Sequence, residues 1–215
     1  MTVESHVADL AVVAPERAVY VGWSWGAMLG LSFASMHPER VSSLVLVGCG
    51  NYDEASREEY ARRLRDRLGE EQGHLEDLHD RLERAEDTEW RDDLLGQIGE
   101  LIEAITAIDS IGSTAADTHP DADGYEETWA DAMRLQHAGI EPACFEAIQC
   151  PVLMLHGDDD PHPGTVIRDT LQRYIPHLAY IGFRQCAHIP WLERQACDRF
   201  DDILVEWIAD TDLDG

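Results

Sequence analysis

Hydrophobic and polar positions follow two different periods along this chain, and the period changes twice. In residues 1–50 a continuous, β-branched apolar run, Val41–Val47, predicts a strand that is buried on both faces. A helix is expected at about Trp25–His37, because Pro38 disfavours helical backbone at the residue before it. A further strand is expected at Ala18–Val21, after a short N-terminal helix. This part of the chain therefore alternates between strands and helices.

Residues 51–140 are highly charged, and their apolar positions recur at intervals of three and four, which is the helical period. The members of this pattern are Leu64, Leu68, Leu75, Leu78, Leu82, Leu94, Ile98, Leu101, Ile102 and Ile105. Gly69 and Gly73 are expected to break the first helix, and Asp87 is expected to cap a later one. The region predicts a group of helices with a charged surface, and its last helix is expected at Tyr125–His137.

Residues 141–215 return to alternation, with strands expected at 151–155 and 178–183 and helices at 165–174 and 198–209. Alternation on both sides of the charged region implies strand–helix–strand crossovers and a mostly parallel sheet. The predicted fold class is α/β. Residues 1–50 and 141–215 are expected to form the core, with residues 51–140 inserted as a helical cap.

Charge narrows the possible partners. The chain of 215 residues carries 43 acidic and 16 basic side chains, a formal charge of -27, and every basic residue is arginine. Nucleic acids and anionic membranes require a basic surface, so neither is expected as a partner. The acidic excess has two explanations that composition does not separate: a surface adapted to high salt, or drift in which arginine replaced lysine.

Other compositional features point to a cytoplasmic protein without a cofactor or metal. The apolar runs are too short to span a bilayer, and the N-terminus lacks the pattern of a secretory signal. The 5 cysteines are an odd number without paired spacing, which indicates reduced thiols rather than disulfides or a zinc site.

The strongest chemical signal is Gly22-Trp23-Ser24-Trp25-Gly26, which stands between an expected strand and an expected helix. In a nucleophile elbow, a serine on a sharp strand-to-helix turn exposes its hydroxyl. Glycines two residues before and after the serine allow close backbone approach. The helix N-terminus favours the negative charge that develops during acyl transfer. The pattern therefore predicts that Ser24 is a nucleophile.

A serine nucleophile needs a base and a group that orients the base. Three adjacent carboxylates, Asp158, Asp159 and Asp160, follow the strand at 151–155, and the residues alone do not choose among them. His188 follows the last expected strand. The carboxyl ends of parallel strands build the sites of open α/β sheets, so these groups are expected to meet Ser24 there.

The chain resembles the α/β-hydrolase fold superfamily, in the serine hydrolase branch that contains prolyl iminopeptidases and related esterases. The likeness rests on the serine motif, on Trp25 after the serine, on His37-Pro38-Glu39-Arg40-Val41 and on His188-Ile189-Pro190-Trp191-Leu192-Glu193. The resemblance implies that Ser24 is the nucleophile, Asp160 the acid and His188 the base. It also implies that the Trp25 amide contributes to the oxyanion hole.

Several neighbouring residues have expected roles of their own. Trp23, Trp129 and Met133 are candidates for substrate binding. His156 is expected to be a packed structural residue and His162 a surface loop residue. Relatives commonly carry glycine at the position of Ala187, and a requirement for positive φ there would strain the histidine loop.

Members of the superfamily have further strands before the nucleophile strand, and a loop among them supplies an oxyanion-hole amide. The segment before residue 17 is too short for these, so an N-terminally truncated member is expected. The strand at 18–21 would then be an exposed edge through which copies could form a homo-oligomer. Three functions stay open: a serine hydrolase that cleaves an ester or amide of a small molecule, a prolyl iminopeptidase-like aminopeptidase, and a catalytically silent chain that acts through a partner.

Overall fold

The computed structural model describes residues 1–112 and 119–212, in which helices and strands alternate on either side of a purely helical stretch. In chain order the elements are α1 (Val3–Val13), β1 (Ala18–Trp23), α2 (Trp25–Met36), β2 (Val41–Val47), α3 (Glu54–Leu68), α4 (Gln72–Arg84), α5 (Thr88–Ile105), α6 (Ala122–His137), β3 (Val152–Gly157), α7 (Gly164–Leu171), β4 (Ala179–Phe183) and α8 (Cys197–Asp212). Short turns of 3₁₀-helix connect some of them.

The strands form a parallel sheet in the order β1-β2-β3-β4. Leu46 on β2 is paired with Gly22 on one side and with Met154 on the other, so β2 lies inside the sheet. Parallel neighbours need long crossover connections, and here helices supply them. The predicted α/β class with a mostly parallel sheet is confirmed.

Alternate residues of β2 enter two different cores, because successive side chains of a strand point to opposite faces. Leu44 and Leu46 are buried in the core on the α2 side. Val45 and Val47 are buried in the core on the α8 side, together with Phe200. Burial on both faces explains why the strand is apolar at most of its positions.

β1 lies at an edge of the sheet and, among the described residues, pairs only with β2. Val21 and Trp23 on this strand are 48% and 38% exposed. An edge strand with apolar side chains is a surface on which another chain can pair. Association of two copies through β1 stays a prediction.

The helices α3 to α6 stand between β2 and β3 in the chain, and we call them the helical insert. Apolar side chains of α4 and α5 pack into a small separate core around Leu78 and Leu94. Asp87 accepts a hydrogen bond from the Trp90 amide and so caps α5, as expected. The division of the chain into a core and a cap stays a prediction.

The expectation that two glycines break the first helix of the insert is half right. Gly69 ends α3 with a φ of +54°. Gly73 lies inside α4, so the expectation is wrong for this residue. A glycine costs a helix only about 1 kcal/mol relative to alanine, and burial of Leu75 and Leu78 on the same helix outweighs that cost. Within the described ranges, every helix is too short or too polar to cross a bilayer.

Candidate active site

Ser24 occupies a sharp turn between β1 and α2, with φ of 53° and ψ of -118°. This backbone region is strained for a residue that has a Cβ. A Cβ at Gly22 would overlap the Gly26 carbonyl, so the turn requires glycine two residues before the serine. The space beside Gly26 is open, and the expected need for glycine after the serine is therefore wrong. The turn has the geometry of a nucleophile elbow.

The three carboxylates after β3 differ in exposure: Asp158 and Asp159 are exposed, whereas Asp160 is completely buried. The Asp160 amide donates to the Gly157 carbonyl at 3.2 Å and closes the turn at the end of the strand. His188, in the loop after β4, lies with its Nδ1 at 2.7 Å from Asp160 Oδ2. The third carboxylate is thus the one that meets the histidine.

Ser24 and His188 line the same cavity. The Ser24 hydroxyl does not cap α2, although the residue stands at its N-cap position. Nor, within the described parts of the chain, is Ser24 hydrogen-bonded to His188. Because His188 Nδ1 is bound to Asp160, Nε2 is the ring nitrogen left for a serine proton. Catalytic hydrogen bonds often tighten only when substrate is bound.

Asp160 is surrounded by imidazoles. Its Oδ2 lies 3.2 Å from His156 Nε2 as well as 2.7 Å from His188 Nδ1, and its Oδ1 accepts from the His162 amide at 2.9 Å. Burial opposes ionisation of this carboxyl. Interaction with His188 and His156, and hydrogen bonds from His162 and His188, outweigh burial and hold the pKa of Asp160 well below its usual range. Asp160 is therefore an anion at neutral pH.

His156 is completely buried, as expected of a packed structural residue. Burial lowers the pKa of its imidazole, and the nearby Asp160 carboxylate opposes that shift only in part. His156 is therefore neutral at pH 7, and its Nε2 lies 2.9 Å from the His162 carbonyl. Through its contacts with Asp160 and the His162 carbonyl, His156 supports the turn after β3 from the protein interior.

His162 is not the surface loop residue that the sequence suggested. Its ring stacks on His188 with centroids 5.1 Å apart and an angle of 25° between the planes. Tyr60 of α3 covers it at 4.4 Å, and the ring contributes to the cavity wall. The turn at Pro161 folds His162 back onto Asp160, a local effect that leaves no periodic signal in the sequence.

Glu193 is a second residue whose position sequence reasoning missed. Its side chain is completely buried and accepts hydrogen bonds from the amides of Ala187, Ile108 and Asp109 at 3.2, 2.8 and 2.9 Å. The His188 amide also donates to the Thr106 carbonyl at 3.0 Å. Glu193 thus joins the loop that carries His188 to the segment that follows α5.

The helical insert also contacts the loop after β3. Arg63 of α3 donates to the Asp160 carbonyl at 2.9 Å. Arg67, one turn further along α3, donates to the Asp159 carbonyl. Both charged side chains therefore bind backbone oxygen of the loop that presents Asp160, and they leave its carboxylate to the imidazoles.

A half-open cavity of about 480 Å³ lies between the strand ends and the helical insert. Most of its wall is apolar or aromatic. The wall contains Met1, His6, Ser24, Trp25, Met28, Gly50, Tyr60, Leu64, Ile102, Thr106, Asp121, Gly124, Tyr125, Thr128, Trp129, Pro161, His162 and His188. A cavity of this size and lining suits a small molecule.

The three candidates for substrate binding have different positions. Trp129 lines the cavity and packs edge-on against Trp25, with ring centroids 5.9 Å apart. Trp23 and Met133 are not among the residues of the described cavity wall, and substrate binding by either one stays a prediction. Trp23 packs against the His188 ring at 5.4 Å between centroids and donates from Nε1 to the His188 carbonyl at 2.9 Å. Met133 lies one helical turn beyond Trp129.

The Trp25 amide stands at the first position of α2, where a helix has no acceptor of its own. It is therefore available to an oxyanion beside Ser24. The strain expected at Ala187 is absent, since the positive φ in this loop, 53°, belongs to Gln185. Ala187 is buried and fits its position without left-handed backbone.

Asp160, His162 and His188 are the described side chains close enough to share a metal ion, with one potential ligand atom each within 4.8 Å of the others. Hydrogen bonds between Asp160 and both rings account for this proximity. The cluster therefore has an explanation without an ion.

Comparison with known proteins agrees with the observed fold. A family model described as alpha/beta hydrolase fold matches residues 13–195. The chain belongs to the alpha/beta hydrolase fold family. A curated relative, the pimeloyl-(acyl-carrier protein) methyl ester esterase of Salmonella newport (strain SL254), is 45% identical over 47 residues, which cover 22% of this chain and 18% of that protein. The chain thus matches less than a fifth of the length of that relative.

Two solved structures of this fold are similar over nearly the whole chain. A carboxylesterase from the Thaumarchaeon Nitrososphaera gargenis has a TM-score of 0.61 at 16% identity, covering 100% of this chain and 74% of that chain. A proline iminopeptidase from Mycobacterium smegmatis has a TM-score of 0.51 at 18% identity, covering 98% and 71%. At these identities the likeness shows the α/β-hydrolase fold.

Proposed function

We propose that this chain is a hydrolytic enzyme, a serine hydrolase that cleaves an ester or amide of a small molecule through Ser24, His188 and Asp160. The observation that carries the proposal is the buried Asp160–His188 hydrogen bond of 2.7 Å beside a cavity that also contains Ser24 on its strained turn. Membership in the family and the esterase name of the curated relative support hydrolysis.

In the proposed reaction the Ser24 hydroxyl attacks the carbonyl carbon, and His188 Nε2 takes its proton. Asp160 holds the ring through Nδ1 and stabilises the imidazolium. The Trp25 amide, at the positive end of α2, donates to the oxyanion. His188 then passes the proton to the leaving group as the scissile bond breaks. In the second half of the reaction, His188 Nε2 takes a proton from water, and the water oxygen attacks the acyl carbon. The proton then returns to the Ser24 oxygen as its bond to the acyl group breaks.

The cavity favours an uncharged, apolar acyl group. Asp121 is the one Asp, Glu or Arg side chain in the described wall, and its carboxylate already accepts from the Gly124 amide at 2.9 Å. A substrate carboxylate or phosphate would find no arginine there, and the overall charge of -27 would repel it. Trp25, Tyr125 and Trp129 offer aromatic surface instead.

A fluorophosphonate probe tests the nucleophile directly, because it phosphonylates an activated serine. We expect the folded protein to be labelled and Ser24→Ala to be unlabelled. Ser42→Ala, on β2 and outside the cavity wall, is the matched control and should label like the wild type. A folded wild-type protein that fails to react would contradict the proposal.

An aminopeptidase of the prolyl iminopeptidase type is the second candidate, because Asp121 places a carboxylate in the cavity wall. Its Oδ1 caps α6, and none of the described residues donates a hydrogen bond to Oδ2, so Oδ2 is the oxygen that could receive a substrate ammonium. Release rates from an aminoacyl arylamide and from an uncharged acyl ester separate the two candidates. Faster arylamide cleavage that is lost in Asp121→Asn would favour the aminopeptidase, whereas inertness to the arylamide would exclude it.

A further inference from the structure

The Asp160 carboxylate is shared between two imidazoles that face the cavity. His188 Nδ1 contacts Oδ2 at 2.7 Å, whereas His162 contacts Oδ1 with its amide at 2.9 Å and its ring Nδ1 at 3.3 Å. The two rings are stacked, with centroids 5.1 Å apart. A triad needs one imidazole on the acid. The buried, neutral His156 lies 3.2 Å from Asp160 Oδ2 on the side away from the cavity, so His162 is the further cavity-facing imidazole that calls for an explanation.

The surroundings of His162 contain few other charges. Tyr60 covers the outer face of the ring, and its pKa is raised to about 12 mainly by burial, so it is neutral. Arg63 of the same helix donates to the Asp160 carbonyl at 2.9 Å. From beneath, His156 contacts the His162 carbonyl, and across the cavity lie His6, Asp121 and Tyr125. Asp160 is thus the one carboxylate in contact with the His162 ring among the described residues.

We propose that His162 is a positioning residue that acts through Asp160 and His188, and that it must be neutral for His188 to serve as the base. This proposal rests on the proposed function. A neutral His162 ring holds Oδ1 of the acid and offers an aromatic face to the imidazolium that forms on His188. A protonated His162 would place a second cation on the same carboxylate, beside the charge that the reaction must create.

If both rings on this shared carboxylate take up a proton, the two steps belong to the pair rather than to either ring. Histidine is the side chain that changes charge in the physiological pH range. As the pH falls, a proton on His162 weakens the hold of Asp160 on the His188 ring. The pair would make hydrolysis sensitive to mild acid more steeply than a triad with a single histidine.

The first experiment follows the NMR shifts of the His188 ring protons from about pH 8 to about pH 5. We expect two inflections in the wild type and one in His162→Phe, which keeps a ring but cannot titrate. His162→Asn is a second variant, since its amide can still donate to Asp160 Oδ1, and it should also give one inflection. His137→Phe, exposed at the end of α6, should keep both inflections.

The second experiment measures the dependence of kcat/KM on pH with an uncharged ester. Below both protonation steps the wild-type value should fall with a limiting slope of about two in log units per pH unit, and both His162 variants with a slope of about one. The proposal would be overturned if the NMR shifts of His188 in the wild type showed a single inflection and the same curve in His162→Phe. Because NMR needs no turnover, an inactive wild type would contradict the proposed function without deciding this proposal.

Discussion

Carboxylates occupy two contrasting settings in this molecule. In the loops that follow β3 and β4, Asp160 and Glu193 are completely buried, and each accepts several hydrogen bonds. On the helical insert, an acid such as Asp80 pairs with Arg84 one turn away while the two side chains are 61% and 75% exposed. The first setting removes water from the charge, and the second leaves the charge in water.

The difference shows that the number of charges says little about what each one does. An exposed ion pair gains little, because water and salt screen it. A buried carboxylate whose partners are fixed costs much to disturb, since its donors have no other acceptor. The charge of -27 is therefore mainly a property of the surface, whereas the proposed chemistry uses one buried acid, Asp160. Four predictions test this contrast.

The largest effect is expected for Asp160→Asn, which keeps the shape of the side chain but removes its charge. An amide cannot stabilise the imidazolium and can hold the wrong tautomer, so kcat should fall about 10⁴-fold. Steady-state hydrolysis of an uncharged ester measures it. Asp77→Asn, an exposed member of an ion pair with Arg81, should keep wild-type activity. Equal activity of the two variants would show that the buried carboxylate matters no more for hydrolysis than an exposed one.

The next largest effect is expected for Glu193→Ala. It would leave three amides without their acceptor, of which the Ala187 amide is buried and the other two are part-buried, and the free energy of unfolding should fall by about 3 kcal/mol. Urea denaturation measures this loss. Glu193→Gln keeps one of the two acceptor oxygens and should lose less. A loss below about 0.5 kcal/mol in the alanine variant would show that these hydrogen bonds contribute little.

A smaller effect is expected from the buried His156. Burial lowers its pKa in the folded protein, so below the unfolded value of about 6.5 the unfolded chain binds a proton that the folded chain resists. Its contribution to stability is present above that pH and is lost as the pH falls towards the lower folded pKa. Urea denaturation of His156→Gln should therefore show a shallower loss of stability between about pH 7 and about pH 5. His137→Gln should match the wild type.

The smallest effect is expected for Arg84→Gln, which breaks the exposed pair with Asp80. The free energy of unfolding should change by less than about 0.5 kcal/mol, and less again at about 1 M salt. Denaturation at low and high salt measures both. A change above about 1 kcal/mol would mean that the surface pairs of the helical insert act as a network.

Much of the fold could be predicted from the sequence, because burial on both faces leaves a continuous apolar run. β2 has the predicted bounds, and α2 ends one residue before the predicted end at His37. β1 runs two residues further than predicted, since Gly22 and Trp23 still pair with β2. A glycine such as Gly22 predicts the end of a strand, but the actual end depends on pairing with the neighbouring strand.

The candidate site is harder to predict from the sequence than the fold. Ser24 and His188 could be proposed because each follows a strand, and parallel strands bring their carboxyl ends together. The choice of Asp160 among three adjacent carboxylates comes from the resemblance to the superfamily and not from the pattern. His162 contacts the same carboxylate because a tight turn brings it there, and such a turn leaves no periodic pattern in the sequence. Glu193 accepts from Ile108 and Asp109, more than 80 residues away in the chain. Contacts between distant loops depend on the whole fold, so the sequence pattern does not contain them.

The contacts made on either side of α4 and α5 define which part of the helical insert can be exchanged. Arg63 and Arg67 of α3 bind the loop after β3, and the segment that follows α5 binds the loop after β4. Between these attachments, α4 and α5 pack mainly against each other. A graft that replaces residues 72–105 would change the cavity wall at Ile102 and leave both loops attached. The α4–α5 pair is therefore the part of the insert that can be exchanged to alter the cavity while both loop attachments are kept.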